Sequence, residues 1–215
     1  MEIEILKKKN IQSNLDLYKR ALTHTSYSNE NNVESYERLE FLGDAVLELI
    51  MSDYLYNERH LEEGTMTKMR ASYVCEEACA TYSKELGLDQ NILLGSGEAS
   101  ANTTILADVF ESFVGAMYLD QGFSYTKDFV LGTILPYSDA KVDFLHDYKS
   151  ELQELVQTVR KSVSYEIIDE KGPAHDKTFL CQVLVDNIVM GTGSGSSKKA
   201  AEQEAAKMAL KKQVK

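Results

Sequence analysis

The chain has 215 residues, of which 43% are hydrophobic and only two are proline, so it can bury a core of long regular elements without disulfides. It contains no apolar run long enough to span a bilayer, and its first ten residues lack the apolar centre of a signal peptide. Three cysteines without paired CxxC clusters argue against zinc and indicate reduced thiols, so we expect a cytoplasmic protein with no membrane partner.

Charge is distributed unevenly along the chain. The net charge of −11 by itself disfavours nucleic-acid binding, because phosphate contacts need Lys and Arg. Residues 148–215, however, carry 11 basic and 9 acidic side chains, which leaves a net of −13 on residues 1–147. This asymmetry indicates two domains with different electrostatic roles.

The first domain alternates helical patterns with short polar breaks, and we predict that it is all-α and spans residues 1–137. The predicted helices are 15–23, 36–59, 67–86 and 104–119, the last ending near Gly122. A linker is predicted over 138–147.

The long predicted helix carries an unusual acidic stripe. Glu37, Glu40 and Asp44 are spaced i, i+3 and i+7, which places them on one side of the helix. The apolar side chains predicted on the opposite side are Leu39, Leu42, Val46 and Leu49. Acidic helix faces are more often simply solvated, but Phe41 lies on the acidic side and Gly43 weakens the helix there. Because a cation relieves repulsion between clustered carboxylates, the stripe indicates one half of a magnesium site, with the other half supplied by another element.

A second acidic pair, Asp108 and Glu111, lies on the predicted helix 104–119, whose other face is apolar. Gly115, one turn later, is interpreted as keeping the acidic side open. Two such helices packed side by side would bring four carboxylates to one small cavity. Glu63 is a fifth candidate, although its spacing alone favours an ordinary loop acid.

The tail, residues 148–215, changes character and predicts a small α+β domain of order α-β-β-β-α. Its predicted elements are a helix at 149–160, strands at 164–169, 179–185 and 187–193, and a helix at 197–212. The Gly/Ser-rich segment 191–197 is interpreted as a loop before a helix that begins with Lys198 and Lys199. Free N–H groups at a helix start attract phosphate, and two lysines strengthen that attraction.

The run of residues 37–44, ERLEFLGD, resembles the signature of bacterial ribonuclease III almost letter for letter. The resemblance extends to residues 21–27, 63–71 and 105–111. Residues 172–175 and 197–203 are similar to a double-stranded RNA-binding domain. The family motifs cover nearly the whole chain in the right order.

The resemblance implies roles for individual side chains in the first domain. It assigns metal binding to Glu40, Asp44, Asp108 and Glu111, with Asp44 and Glu111 as the catalytic pair. The residues implied to line the cleft and the dimer interface are Glu37, Phe41 and Glu63, and Phe41 is expected to pack into the partner subunit.

The tail's resemblance implies RNA contacts that read duplex shape and 2′-OH groups more than sequence. Gln153 and Gln157 match contacts to one minor groove, and His175, in the 172–175 loop, matches a contact to the next. Lys198 and Lys199 match phosphate contacts across the intervening major groove.

The implied activity is hydrolysis of phosphodiester bonds in double-stranded RNA by a homodimer, with Mg²⁺ as cofactor and Mn²⁺ as a substitute. One metal ion would activate a water and a second would neutralise charge on the leaving 3′ oxygen. The expected products carry 5′-phosphates, 3′-hydroxyls and short 3′ overhangs, and the expected substrates are rRNA precursors and mRNA.

Two departures from the family pattern accompany this prediction. Asn102 replaces a basic residue and Tyr36 replaces Asn or His. The alternative is a non-catalytic double-stranded RNA-binding homodimer, which should have lost one of the four carboxylates that this chain keeps. A cation-dependent structural dimer unrelated to RNA would leave the tail unexplained. We interpret His24 and Ser26 as capping and packing groups.

The cysteines and tyrosines are assigned structural roles. Cys75 and Cys79, one helical turn apart, are interpreted as core residues. Tyrosines are expected in the core or at an interface, because stacking on unpaired bases is a way of binding single strands.

Overall fold

A computed structural model describes residues 3–58, 61–145, 147–172 and 177–213. The chain divides into two compact units, Met1–Leu145 and His146–Lys215, each with its own hydrophobic core. The first is built from helices and the second from a helix, three antiparallel strands and a helix, which confirms the predicted fold class. The predicted domain limits, with a linker over 138–147, stay a prediction.

The first unit is organised around two long helices, α4 and α7. Its helices are α1 (Glu4–Lys8), α2 (Leu15–Ala21), α3 (Thr25–Asn31), α4 (Glu37–Glu58), α5 (Glu63–Tyr73), α6 (Glu76–Glu85) and α7 (Thr103–Asp139), with a short 3₁₀ helix at Leu88–Asn91. Helices α1 and α3, of five and seven residues, were not predicted from the sequence.

The predicted helix 67–86 is wrong, because the structure has two helices there. Cys75 adopts an extended conformation (φ −75°, ψ 163°) and begins α6, while α5 ends at Tyr73. The break lets Tyr73 and Tyr82 both turn inward, and the Tyr82 hydroxyl donates to the backbone oxygen of Tyr73 at 3.2 Å. This bond satisfies a carbonyl that the end of α5 leaves without a helical partner.

The helix predicted to end near Gly122 does end there, and the range α7 comprises two helices joined by a kink at this glycine. Gly122 itself breaks the helical path, since its φ of 78° and ψ of 174° suit glycine alone. The chain then resumes a helix whose Phe129, Val130 and Ile134 are buried in the first core. Burial of these apolar side chains stabilises this second helix, which the sequence pattern did not predict.

Helices α4 and α7 cross at two glycines. A Cβ placed on Gly43 would lie 1.8 Å from the backbone oxygen of Glu111, and one on Gly115 would lie 2.3 Å from that of Leu39. Gly115, which was interpreted as keeping the acidic side open, lies where the two helix backbones touch, so glycine is needed there for the close crossing. The prediction that Leu49 lies on the apolar, buried side of its helix is also wrong, since Leu49 is 55% exposed.

The second unit is a three-stranded sheet covered by two helices. Its elements are α8 (Tyr148–Thr158), β1 (Val163–Lys171), β2 (Thr178–Val185), β3 (Ile188–Gly195) and α9 (Lys198–Gln213), with strand order β1-β2-β3. Most of the predicted loop 191–197 is strand β3. A Cβ on Gly193 would lie 2.2 Å from the backbone nitrogen of Ala205, so glycine here allows α9 to pack closely against the strand.

Within the ranges that the structure describes, no helix is both long and apolar enough to cross a membrane.

Candidate functional site

The four carboxylates predicted to bind metal lie on the two helices that cross at Gly43 and Gly115. Glu40 and Asp44 belong to α4, and Asp108 and Glu111 belong to α7. We call these four residues the acid cluster. The close crossing at the glycines brings the two helix backbones together beside the four side chains.

Glu111 shows the electrostatic consequence of this arrangement. Burial raises the pKa of its carboxyl to about 8, and repulsion from Asp44, Asp108, Glu40 and Glu48 contributes in the same direction. A carboxyl whose neighbours are all negative resists ionisation. The two helices thus place the members of the acid cluster within electrostatic reach of one another.

Glu40 responds in the same way from the other helix. Burial raises the pKa of Glu40 to about 7, with repulsion from Asp108, Glu37 and Asp44 as further causes. Among the described residues, no ion pair with Lys or Arg includes a member of the acid cluster. Within the described part of the chain, the acid cluster therefore has no Lys or Arg ion-pair partner.

Asp108 differs because it has a hydrogen-bond donor. The Tyr36 hydroxyl donates to its Oδ2 at 2.9 Å. Burial raises the pKa of Asp108, and this hydrogen bond opposes the rise by favouring the ionised form. Our interpretation of the sequence missed this contact. Its one signal was a hydroxyl-bearing residue directly before the acidic helix.

The donor chemistry of the acid cluster fits a hard divalent cation. All four side chains offer carboxylate oxygens, which Mg²⁺ prefers, and a cation would relieve their mutual repulsion. As placed, no three His, Cys, Asp or Glu side chains among the described residues converge closely enough to hold a metal ion. The fit therefore rests on charge and ligand type.

The residues predicted for the cleft and the dimer interface lie on exposed surface. Phe41 is 83% exposed, an unusual position for a large aromatic ring. Glu37 is exposed and accepts a hydrogen bond from the Ser35 hydroxyl at 2.9 Å. Glu63, at the start of α5, accepts one from Thr67 at 3.1 Å.

Glu63 also lines a surface cavity of about 520 Å³ between α4 and α5, beside two exposed apolar side chains of α4. Leu49 is 55% exposed and Tyr56 is 75% exposed, and both line the cavity. With Phe41, they give α4 an exposed apolar row that its own unit does not cover.

The predicted RNA-contacting side chains of the second unit are exposed where the structure describes them. Gln153 and Gln157 are exposed on α8, one helical turn apart. Lys198 and Lys199 are exposed at the start of α9. His175 lies outside the described residues.

Several residues without a catalytic assignment have clear structural roles. Asn102, which replaces a basic residue, caps α7 by accepting a hydrogen bond from the Ile105 N–H at 2.9 Å. The ring Nδ1 of His24 accepts from the Ser26 N–H at 3.2 Å and caps α3, as predicted. Cys79 is fully buried in the core.

Comparisons with known proteins agree with both units. Residues 14–138 match the family model described as "Ribonuclease-III-like", and residues 148–213 match "Double-stranded RNA binding motif". The chain is 48% identical over 207 residues to "Ribonuclease 3" of Onion yellows phytoplasma, covering 94% of this chain and 87% of that protein. It is 48% identical over 212 residues to "Ribonuclease 3" of Listeria monocytogenes, covering 94% and 92%.

Solved structures resemble the first unit. A nuclease domain of ribonuclease III from Campylobacter jejuni, described for flexibility in a region involved in dimer formation, is 34% identical with a TM-score of 0.57. That match covers 62% of this chain and 96% of the other. A second structure of the same domain at 2.2 Å resolution is 30% identical with a TM-score of 0.53, covering 60% and 90%.

Proposed function

Because the chain belongs to the ribonuclease III family of endoribonucleases and carries a double-stranded RNA-binding motif, we propose that it cuts both strands of RNA duplexes by metal-assisted hydrolysis. Endoribonuclease activity on double-stranded RNA follows from the family. Our proposal adds the identity of the metal, the residues of the site, the chemistry of the product ends and the dimeric state.

The observation that carries the proposal is the crossing of α4 and α7 at Gly43 and Gly115, which groups the acid cluster without a Lys or Arg ion pair among the described residues. In this proposal, Glu40, Asp44, Asp108 and Glu111 hold the divalent cations. Mg²⁺, or Mn²⁺ in its place, would supply activation of a water molecule and neutralisation of charge on the leaving 3′ oxygen. Asp44 and Glu111, one from each helix, are proposed as the catalytic pair.

The second unit is proposed to hold the duplex. Gln153 and Gln157 on the exposed side of α8 suit hydrogen bonds to 2′-OH groups in a minor groove. Lys198 and Lys199 at the start of α9 suit phosphate contacts, because a helix N-terminus adds its own positive potential. These groups recognise duplex shape, and we also propose a minor-groove contact for His175.

A homodimer is proposed from the exposed surface of α4. Phe41, Leu49 and Tyr56 offer an apolar row, and the cavity beside Glu63 has room for an aromatic side chain from a second copy. Two sites in a symmetric dimer would cut both strands and leave 5′-phosphates, 3′-hydroxyls and short 3′ overhangs. We propose rRNA precursors and mRNA in the cytoplasm as the substrates.

The test is a cleavage assay on a long perfect RNA duplex, with Mg²⁺ and with chelator, comparing the unchanged chain with Glu111→Gln. We expect metal-dependent cutting that the variant loses while it keeps duplex affinity. Glu98→Gln, which removes one charge from an exposed loop, is the matched control and should cut normally. Duplex binding without cutting in either Mg²⁺ or Mn²⁺ would instead favour a non-catalytic double-stranded RNA-binding homodimer.

A further inference from the structure

Tyr36 is a buried tyrosine whose hydroxyl reaches the acid cluster. Its side chain is 3% exposed, and its hydroxyl donates to Asp108 Oδ2 at 2.9 Å. Tyr36 directly precedes α4, which carries Glu40 and Asp44, whereas Asp108 belongs to α7. The hydrogen bond therefore joins the two helices that carry the acid cluster.

The rest of the tyrosine is held in place independently of Asp108. Its backbone N–H donates to the Thr23 oxygen at 2.9 Å, and its backbone oxygen accepts from the Glu40 N–H at 2.9 Å. Its ring lies against the ring of His24, with centroids 5.7 Å apart. Because backbone and ring are both anchored, the hydroxyl is a fixed point that orients the carboxylate.

Asp108 has little else to orient it. No other side chain among the described residues donates a hydrogen bond to its carboxylate; the nearby Glu76 repels it, and His24 attracts it without a hydrogen bond. A carboxylate free to rotate must lose that freedom when it binds a cation. A donor fixed on one oxygen removes part of that loss and leaves the other oxygen for the cation.

We propose that Tyr36 is a positioning residue that sets the metal affinity of the site by holding Asp108 through this hydrogen bond. The inference rests on the proposed metal-dependent function. Tyr36 itself would touch neither the metal nor RNA. Hydrogen-bond partners of metal-ligating groups typically account for a 10- to 100-fold difference in metal affinity.

The test is a titration of the full chain with Mn²⁺ in the absence of RNA. The free Mn²⁺ concentration is measured from its electron paramagnetic resonance signal. Tyr36→Phe keeps the buried ring and removes only the donor, and we expect a loss of affinity of about 10-fold. Replacing Tyr36 with 4-aminophenylalanine restores a donor on the same ring and should recover most of the loss.

Tyr18→Phe is the matched control. Tyr18 is fully buried, and its hydroxyl donates to Asp120 Oδ2 at 3.0 Å, away from the acid cluster. This variant loses the same kind of bond in the same unit, so its Mn²⁺ affinity should be unchanged. Equal losses in Tyr18→Phe and Tyr36→Phe would mean general loosening of the fold and would overturn the inference.

Cleavage gives a second readout. For Tyr36→Phe, the Mg²⁺ concentration at half-maximal rate should rise about 10-fold, with normal kcat at saturating Mg²⁺ and an unchanged KM for duplex RNA. If the unchanged chain binds Mn²⁺ and cuts RNA but Tyr36→Phe matches it, this inference alone fails. If the unchanged chain neither binds Mn²⁺ nor cuts, the proposed function fails too.

Discussion

Replacing Glu111 with Gln should stabilise the metal-free protein while abolishing its activity. The pKa of Glu111 is raised to about 8 in the folded chain, against an ordinary value of 4.5. A raised acid pKa means that the folded state loses stability as pH rises from about 4.5 towards 8, because the ionised form is the disfavoured one. Gln keeps the shape of Glu and has no group that ionises in this pH range.

The size of the effect follows from the shift. At pH 7, a carboxyl of ordinary pKa 4.5 whose pKa in the folded chain is about 8 lowers the stability of the folded state by about 3 kcal/mol, as an upper value. At pH 5 the same calculation gives less than about 1 kcal/mol. Since 1 kcal/mol corresponds to about 2–4 °C for a chain of this size, the Tm of Glu111→Gln should exceed that of the unchanged chain by up to about 10 °C at pH 7.

The assay is thermal unfolding of both proteins in chelator from pH 5 to pH 8, repeated in Mg²⁺. In chelator the difference in Tm should grow with pH. Mg²⁺ should stabilise the unchanged chain more than the variant, because a ligand that binds the folded state stabilises it. The exposed-loop variant Glu98→Gln should follow the unchanged chain throughout. A difference that is independent of pH, or a less stable Glu111→Gln at pH 8, would refute the argument.

Three further changes test other parts of the molecule. Gly43→Ala places a Cβ 1.8 Å from the Glu111 backbone oxygen, so it should cost at least about 3 kcal/mol of unfolding free energy in denaturant titrations and abolish cleavage. Phe41→Ala should shift the chain from dimer to monomer in analytical ultracentrifugation, because it removes an exposed aromatic contact. Replacing Lys198 and Lys199 with Ala should weaken duplex binding regardless of sequence and reduce the slope of log affinity against log salt by about 2.

Each of these changes has a matched control in the chain. Gly132→Ala, on α7 with no atom within 4 Å of the new Cβ, should stabilise by up to about 1 kcal/mol, and equal damage from both glycine variants would argue against the close crossing. Ile188→Ala, at a 66% exposed site on β3, should leave the dimer intact. Replacing Lys211 and Lys212, exposed at the end of α9, should change duplex affinity less than replacing Lys198 and Lys199.

The spacing of residues along the chain predicted those features of the site that depend on a single helix. The positions of Glu40 and Asp44 on one side of α4, and of Asp108 and Glu111 on one side of α7, follow from the helical repeat. The strand pattern of the tail likewise followed from alternation. Periodicity does not say which residues of two helices meet, so the contact between Gly43 and Gly115 could not be predicted from it.

Errors in element boundaries have a common physical cause. The helix break after Tyr73 and the unpredicted second helix beyond Gly122 both depend on side chains that gain burial in the core, which local propensity does not record. The third strand was predicted to end at Gly193, and residues 191–197 were also interpreted as a loop, because glycine usually marks turns. Packing against α9, with a would-be Cβ of Gly193 2.2 Å from Ala205 nitrogen, overrides that preference.

The charge distribution is explained if metal binding and RNA binding depend on each other. A net charge of −13 on residues 1–147 repels phosphate, and the ionised members of the acid cluster add to that repulsion where cutting is proposed. We expect the tail, with a net of +2, to retain a duplex when the cluster holds no cation. Divalent cations bound in the cluster would reduce its repulsion of RNA phosphates and would at the same time make the site competent for cleavage. By linkage, duplex RNA should then tighten metal binding by the same factor as the metal tightens RNA binding at the nuclease unit.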